Sequence, residues 1–364
     1  MNDRTERKIM IAMSGGVDSS AAALLLQNMG YEVAGATFLL CEPAGLTADE
    51  AAAVSPAVRD AKEVCAALDI PHHVFDFREL FEQRVRRPFV GEYLAGRTPN
   101  PCVECNRFIK FPAFLEMAER LGYGRIATGH YARLVRDKDG VCRILKAVFD
   151  KKDQSYVLYS LTEDILARLE LPLGGYSKEE IRGLAAGAGL AVSSKPDSQD
   201  ICFIPDGDTR GYIAAELEKS GRAGELAGDF IDPDGRTLGR HGGVWGFTIG
   251  QHKRLGISLG SPRYVAAIDA AARTVTLTGD EHAIFSRFAK AEKVNLLHPG
   301  ERGNTFRAGV KVRYGKREAM STRTLDEDRC TVQFDEPQRA ITPGQSVVFY
   351  DGDELIGGGI ISAE

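Results

Sequence analysis

No stretch of this 364-residue chain approaches the roughly 20 consecutive apolar residues of a membrane-spanning helix. Its polar start, Asn2-Asp3-Arg4-Thr5-Glu6-Arg7, lacks the apolar segment of a secretory signal. Both absences lead us to expect a cytosolic protein. Seven cysteines, an odd number and widely scattered, make no disulfide framework, and a reducing compartment keeps them as thiols. Any disulfide is therefore expected to be transient. A positive excess is missing too. The net charge of −5 argues against a protein that coats nucleic acid non-specifically, because such binding scales with the phosphates neutralised. A local basic face remains open at Arg84-Val85-Arg86-Arg87, at Lys151-Lys152, and from Arg307 to Arg317, which holds Lys311, Arg313, Lys316 and Arg317 with no acid between them. Each of these alone reads as solvated surface. The length allows two or three separate cores.

Two nucleotide-binding patterns are also absent near the N-terminus. The segment Ala12-Met13-Ser14-Gly15-Gly16-Val17-Asp18-Ser19-Ser20 has neither the lysine of a Walker loop nor the third glycine of a dinucleotide fold. It is nonetheless built to grip a pyrophosphate. It follows the apolar run Ile9-Met10-Ile11, its small residues permit a sharp turn, and Ala21 to Leu26 supply a helix whose positive end faces the turn. Asp18 in place of lysine suggests magnesium, rather than an ammonium group, as the counter-charge. The pattern S-G-G-x-D-S resembles the loop of the ATP pyrophosphatase (PP-loop) family, whose members split ATP between the α- and β-phosphates.

Further along, Gly30 caps the first helix, and Glu32 to Phe38 reads as a second buried strand. Ser55-Pro56 starts a helix whose apolar residues run from Val58 to Leu68. His72 to Phe77 reads as a strand, a helix is expected around Phe111 to Leu121, and Arg125 to Thr128 reads as another strand. Ser177-Lys178-Glu179-Glu180 is a capping box opening a helix to about Ala188. This alternation predicts an α/β fold with a doubly wound parallel sheet, in which the glycine loop, Phe38-Leu39 and Thr128-Gly129-His130 converge at the carboxyl ends of the strands. Domains are expected at 1–205, at 206–282, where the sequence turns Gly-rich, and at 283–364. The last section, with Thr305 to Tyr314, Cys330 to Phe334, Ser346 to Tyr350 and a turn at Asp351-Gly352, predicts a small β-barrel.

Cys102 and Cys105, in Asn100-Pro101-Cys102-Val103-Glu104-Cys105-Asn106, lie near a helix start, a place that favours thiolate. Cys202 is the third chemical candidate. Cys41, Cys65, Cys142 and Cys330 read as packed or incidental thiols. C-x-x-C is also a half-site for zinc or an iron–sulfur cluster, and Cys202 could add a third ligand, but no second C-x-x-C exists. Residue pattern alone leaves a Cys102/Cys105/Cys202 metal site and a sulfur-transfer pair both open.

Several longer motifs narrow the choice. They are the Asn100–Asn106 segment, Ala127-Thr128-Gly129-His130-Tyr131-Ala132-Arg133, Lys152-Asp153-Gln154-Ser155-Tyr156, Asp197-Ser198-Gln199-Asp200-Ile201-Cys202-Phe203-Ile204, Phe247-Thr248-Ile249-Gly250-Gln251, Lys311-Val312-Arg313-Tyr314 and Pro343-Gly344-Gln345. Through them the chain resembles the bacterial tRNA-specific 2-thiouridylase family along nearly its whole length. The resemblance implies an adenine nucleotide alpha hydrolase-like domain, a small central domain and a C-terminal barrel, the last two contacting tRNA. It implies Cys105 as nucleophile and Cys202 as persulfide carrier, and leaves the role of Cys102 open. It also implies ATP contacts at Ala12, Met13, Ser14, Gly15, Gly16, Val17, Asp18, Ser19, Leu39 and Gly129, with Mg2+ accompanying the nucleotide. Contacts to tRNA fall on Asn100, Pro101, Cys102, His130, Lys152, Asp153, Gln154, Arg313, Tyr314 and Gln345. The activity implied is ATP-dependent 2-thiolation of the wobble uridine, with a sulfur-relay protein or cysteine desulfurase upstream. One departure is that relatives often carry Arg and Gly at the positions of His252 and Arg254. The alternatives are other PP-loop synthetases and, from a different class, an iron–sulfur or zinc RNA-binding protein.

Overall fold

The computed structural model describes residues 7–196, 201–222 and 227–363, so most of the polar start and the Asp197–Asp200 half of the Cys202 motif lie outside the described residues. The chain forms two compact units. One comprises residues up to 85 with 102–203 and 353–355; the other comprises 86–101 with 204–352 and the segment from 356 onward.

In the first unit the strands are β1 (Lys8–Ala12), β2 (Glu32–Leu39), β3 (His72–Asp76), β4 (Arg125–Ala127), the antiparallel hairpin β5 (Ala132–Arg136) and β6 (Cys142–Lys146), and β7 (Leu169–Glu170). A parallel sheet forms in the order β3-β2-β1-β4-β7. The order grows outward from β1 in both directions, so the switch point lies between β1 and β4, where ligands sit in open α/β sheets. Helix α1 (Val17–Asn28) follows β1 directly. Its alanines Ala21, Ala22 and Ala23 and its leucines Leu25 and Leu26 share one core with Ile9 and Ile11 of β1. The same core takes in Ile181 and Ala185 from α4, introduced below. Gly30 adopts φ +87 just past the helix end, as its place in the sequence predicts. Helix α2 (Pro56–Ala67) has proline at its first turn.

Two helical features differ from expectation. A short helix, Ala48–Val54, forms ahead of α2, capped by a reciprocal Thr47/Glu50 box whose polar sequence hid it. The helix expected near Phe111 begins ten residues earlier. It runs from Pro101 to Cys105, widens into π-helical turns over Asn106–Ala113, and ends in α3 (Phe114–Arg120). Pro112 lies inside the wide turns. Proline has no N–H to offer an α-helical ladder, and widening lets the chain stay helical through it. Helix α4 (Lys178–Gly187) carries the foreseen capping box between Ser177 and Glu180.

The second unit contains β8 (Gly228–Ile231), β9 (Thr237–His241), β10 (Tyr264–Asp269) and β11 (Thr274–Thr278), forming a four-stranded sheet in the order β10-β11-β8-β9. It also contains β12 (Phe285–Leu296), β13 (Thr305–Lys311), β14 (Ala319–Asp326), β15 (Arg329–Arg339), β16 (Ser346–Asp351) and β17 (Glu354–Ile361). These six run in the order β12-β15-β14-β13-β16-β17, and pairing of β12 with β17 closes a barrel. Alternation along β15 places Cys330, Val332 and Phe334 inside with Val310, Val347 and Phe349.

The Pro343-Gly344-Gln345 motif has a physical reason within this unit. Gly344 sits at φ +87, and a Cβ there would lie 2.9 Å from the Thr98 nitrogen. Thr98 donates its N–H to the Pro343 carbonyl at 2.8 Å, while Gln345 Nε2 donates to the Thr98 carbonyl at 2.7 Å. The motif therefore clamps the segment leading to Asn100 and Pro101. Gly344→Ala meets both a left-handed backbone and a backbone neighbour. It is expected to lower unfolding stability by about 1–3 kcal/mol in a denaturant titration, and wild-type stability would contradict the clamp.

Candidate active site

The glycine loop joins β1 to α1 at the carboxyl edge of the sheet. Gly15 takes φ +69, and a Cβ on it would sit 2.9 Å from Asp60 Cβ and 3.0 Å from the Ala57 carbonyl. Gly16 is the N-cap of α1 and no side chain caps the helix, which leaves that end open to an anion. Ser19 instead braces the turn: Ser14 N–H donates to Ser19 Oγ at 3.2 Å, and Ser19 Oγ donates to the Gly16 carbonyl at 3.2 Å. Ser20 Oγ donates to the same carbonyl at 2.8 Å. Ser14 alone in the loop is exposed. Gly129, after β4, is packed so closely on α1 that a Cβ would lie 3.1 Å from the Ser19 nitrogen. Leu39 ends β2 fully buried beside Ala51 and Val58, so only its backbone can face a ligand.

Beside the magnesium expected at this loop, the fold brings ammonium groups that the local sequence does not show. Lys178, at the first turn of α4 and nearly buried, places Nζ 2.6 Å from Asp18 Oδ1. Tyr131 donates its hydroxyl to the same oxygen at 2.7 Å. Lys195 donates to the Gly15 carbonyl at 3.2 Å and pairs with Asp60, whose carboxyl this hydrogen bond holds below its usual range. The local loop lacks a lysine, but the fold delivers two from more than 150 residues away. No hydrogen bond among the described residues reaches Asp18 Oδ2, and that carboxylate is about one-third exposed, so it retains an oxygen suited to a hard cation.

The three candidate thiols are linked by a residue that sequence reasoning passed over. Lys110 lies one wide turn beyond Cys105 in the π-helical segment, and its charge acts on Cys102, Cys105 and Cys202 together. Burial alone would weaken the ammonium, yet Cys105, Cys102 and Cys202 together hold its pKa above the ordinary value. Cys105 is only 5 % exposed, and burial pushes its thiol up to about 12 against the pull of Lys110. Cys102 reaches solvent, but the protein packed around its sulfur also raises it. Cys202 goes the other way. A hydrogen bond from Cys41, assisted by Lys110 and the N–H groups of Cys202 and Phe203, brings it down to about 7 despite the opposing effect of burial. Of the three thiols, Cys202 is therefore the one whose thiolate the site favours.

Cys65, Cys142 and Cys330 are buried, as packed thiols should be, and none of the seven cysteines is in a disulfide. Cys41 is exposed and helps to lower Cys202. Among the described residues no three His, Cys, Asp or Glu side chains gather to hold a metal ion.

The expected RNA contacts divide. Asp153 is buried, and its carboxylate accepts from Ala147 N–H, Ser155 N–H and Ser155 Oγ at 3.1, 3.1 and 2.9 Å. Gln154 Oε1 accepts from Tyr131 N–H at 2.9 Å. These two brace a loop from within, while Lys152 beside them is half-buried. His130 is hydrogen-bonded to Thr128 at 2.7 Å and stacked on Phe111, and burial with the nearby Lys110 lowers it to about 3. It is thus a neutral ring rather than a cation. In the second unit, Arg313 donates to Thr342 Oγ1 at 2.5 Å and to the Ile249 carbonyl at 3.2 Å, and Tyr314 is exposed. Thr248 meets Thr98 at 3.2 Å. Segments 150 and 247 residues beyond Thr98 thereby meet around the approach to Asn100 and Pro101. The basic run from Arg307 to Arg317 is partly neutralised across the strands, Arg307 by Asp335 and Lys311 by Glu318. Lys316 and Arg317 remain exposed without an ion pair among the described residues.

Three family models match the chain. They are described as tRNA methyl transferase HUP domain over residues 7–206, tRNA methyl transferase PRC-barrel domain over 219–278, and Aminomethyltransferase beta-barrel domain over 286–361. Curated relatives match almost end to end. The tRNA-specific 2-thiouridylase MnmA of Carboxydothermus hydrogenoformans is 47% identical over 361 residues, which is 98% of this chain and 97% of that protein. The proteins of the same name from Acetivibrio thermocellus and Clostridioides difficile are each 44% identical, covering 98% of this chain and 99% and 98% of their own lengths.

Lys110 favours the ionised form of Cys202, so its loss must raise that thiol. Alkylation of Cys202, followed by peptide mass spectrometry across pH, is expected to show a midpoint near 7 in the wild type. In Lys110→Met the midpoint should move upward and the rate at pH 7 should fall. An unmoved midpoint would remove Lys110 from the site's electrostatics.

Proposed function

The chain belongs to the tRNA-specific 2-thiouridylase family, and from that premise we propose that it replaces the C2 oxygen of the tRNA wobble uridine with sulfur, using ATP. One observation carries the reading: within a single unit, a helix N-terminus without a side-chain cap accompanies a cysteine whose thiol falls to about 7.

Uracil C2 holds its oxygen firmly, so the oxygen must first become a leaving group. The Ser14–Ser19 turn and the N-terminus of α1 would hold the phosphates of ATP while the base oxygen attacks the α-phosphate, releasing pyrophosphate. Lys178 and Lys195 would counter the charge that develops. Mg2+, held through Asp18, would supply further neutralisation of the phosphates. Cys202, loaded as a persulfide by an upstream sulfur-relay protein or cysteine desulfurase, would then deliver its terminal sulfur to C2 as AMP departs. Cys105 would break the remaining sulfur–sulfur bond by attacking Cys202, leaving a Cys105–Cys202 disulfide for a reductant to reopen. Release of sulfide by the same attack before transfer leads to the same product.

A wobble uridine has to leave its stack to reach this chemistry, at a cost of a few kcal/mol. Contacts to tRNA are assigned to Asn100, Pro101, Cys102, Lys152, Arg313, Tyr314 and Gln345. Asp153, Gln154 and His130 would shape the pocket. The functional divisions proposed are 1–205 for catalysis, and 206–282 and 283–364 for tRNA. No helix among the described residues is long and apolar enough to cross a membrane, which accords with a cytoplasmic setting.

AMP release from ATP, measured with and without tRNA, tests the reading, since a pure RNA-binding protein would release none. Cys202→Ser and Cys105→Ser should each abolish 2-thiouridine while tRNA affinity stays near wild type. Retention of the modified base in either variant sinks the thiol assignment. For Asp18→Ala, AMP formation is expected to disappear, and unchanged AMP formation would contradict its role in holding ATP.

A further inference from the structure

The turn from Gly250 to Gly256 carries Lys253 and Arg254 side by side, and the chemistry above gives neither a role. Several bonds hold its shape. Gly250 donates its N–H to the Val265 carbonyl at 2.8 Å, and Val265 N–H donates to the Gln251 carbonyl at 2.9 Å, which fastens the turn to β10. The Gln251 side chain folds back on its own turn: Oε1 accepts from Thr248 N–H at 3.2 Å, and Nε2 donates to the Lys253 carbonyl at 2.9 Å. Arg210, from the helix Thr209–Lys219, donates Nη1 to the Arg254 carbonyl at 2.8 Å while its guanidinium lies over Phe247, 5.3 Å from the ring centroid.

Two features of this turn are costly unless an anion joins it. Arg254 sits at φ +55, a left-handed backbone that glycine takes freely and an arginine takes under strain. Cations are also gathered without counter-charge. Lys253 and Arg254 are exposed, and neither they nor Arg210 form an ion pair among the described residues. Burial, and then the like charge of Arg254, hold Arg210 below its usual pKa. Asp208, the acid that acts on Arg210, uses a carboxylate oxygen to cap its own helix, accepting from Gly211 N–H at 3.0 Å.

We infer that Arg210, Lys253 and Arg254 form a binding site for a backbone phosphate of the tRNA. That the RNA is tRNA rests on the proposed function. A chain of net charge −5 gains affinity for RNA only where cations are locally in excess, and guanidinium groups beside an ammonium match a phosphate. Such a contact positions the RNA without reading its sequence. Because the turn is held before the RNA arrives, little ordering is left for the moment of binding.

The test measures the affinity of the full-length protein for an unmodified transcript of a tRNA with a wobble uridine, over a range of salt. Arg254→Gly should weaken binding about five- to tenfold at ~0.1 M salt and lower the slope of log affinity against log salt by about 1. Its melting temperature should not fall, since glycine accepts the left-handed backbone, so unfolding does not account for the loss. Lys253→Ala should act in the same direction, and Arg254→Lys, which keeps the charge, should recover most of the affinity and slope. Wild-type affinity and slope in Arg254→Gly, or an Arg254→Lys protein as weak as Arg254→Gly, overturns the site. If the variants behave as expected but the wild type forms no 2-thiouridine, the proposed chemistry falls and the phosphate site stands. A wild type that does not bind the transcript overturns both.

Discussion

The chemistry of this molecule depends on one ammonium group. Lys110 favours the ionised form of Cys102, Cys105 and Cys202, and ionised sulfur in turn favours the Lys110 charge against burial. The arrangement gives three similar side chains different states. Cys105, deepest, is held as a thiol, whereas Cys202, with Cys41 and backbone N–H groups beside it, is poised between thiol and thiolate. The roles proposed for Cys202 as sulfur carrier and Cys105 as resolving thiol call for that difference, because two thiolates would repel and two thiols would be inert. The wide helical turns that accommodate Pro112 also set where Lys110 lies relative to Cys105.

The nucleotide half follows the same logic of charge supplied from afar. The glycine and serine loop carries no cationic side chain of its own. Lys178 and Lys195 arrive from a helix start and the segment after it, fixed by the Ser177/Glu180 box and by Asp60. Asp18 is thereby part of a network with Lys178 and Tyr131. In the second unit, Gly344, Gln345, Thr248 and Arg313 organise the approach to Asn100 and Pro101, which precede Cys102 in the chain. These motif residues do structural work in addition to whatever they present to RNA.

What the sequence made legible was local. Ser177 and Glu180 announced their helix, Gly30 its end, and the alternation in β15 its barrel face, because each depends on neighbours a few residues apart. The glycine turn between β1 and α1 was legible for the same reason. Lys178 and Lys195 were not, since their partners Asp18 and Gly15 lie 160 and 180 residues away. Lys110 was hidden by Pro112, which made the helix seem to begin at Phe111. Cys41 looked incidental because only the folded chain brings it to Cys202. Asp153 and Gln154, which the resemblance places at RNA, also brace their own loop.

The central claim is that sulfur passes from Cys202 to a uridine activated by ATP. Protein carrying isotopically labelled persulfide on Cys202, freed of donor and mixed with tRNA, tests it in a single turnover. Label should leave the Cys202 peptide and appear in wobble 2-thiouridine only when ATP is added. Label that stays on Cys202 in the presence of ATP and tRNA, or that moves to tRNA without ATP, would contradict the account.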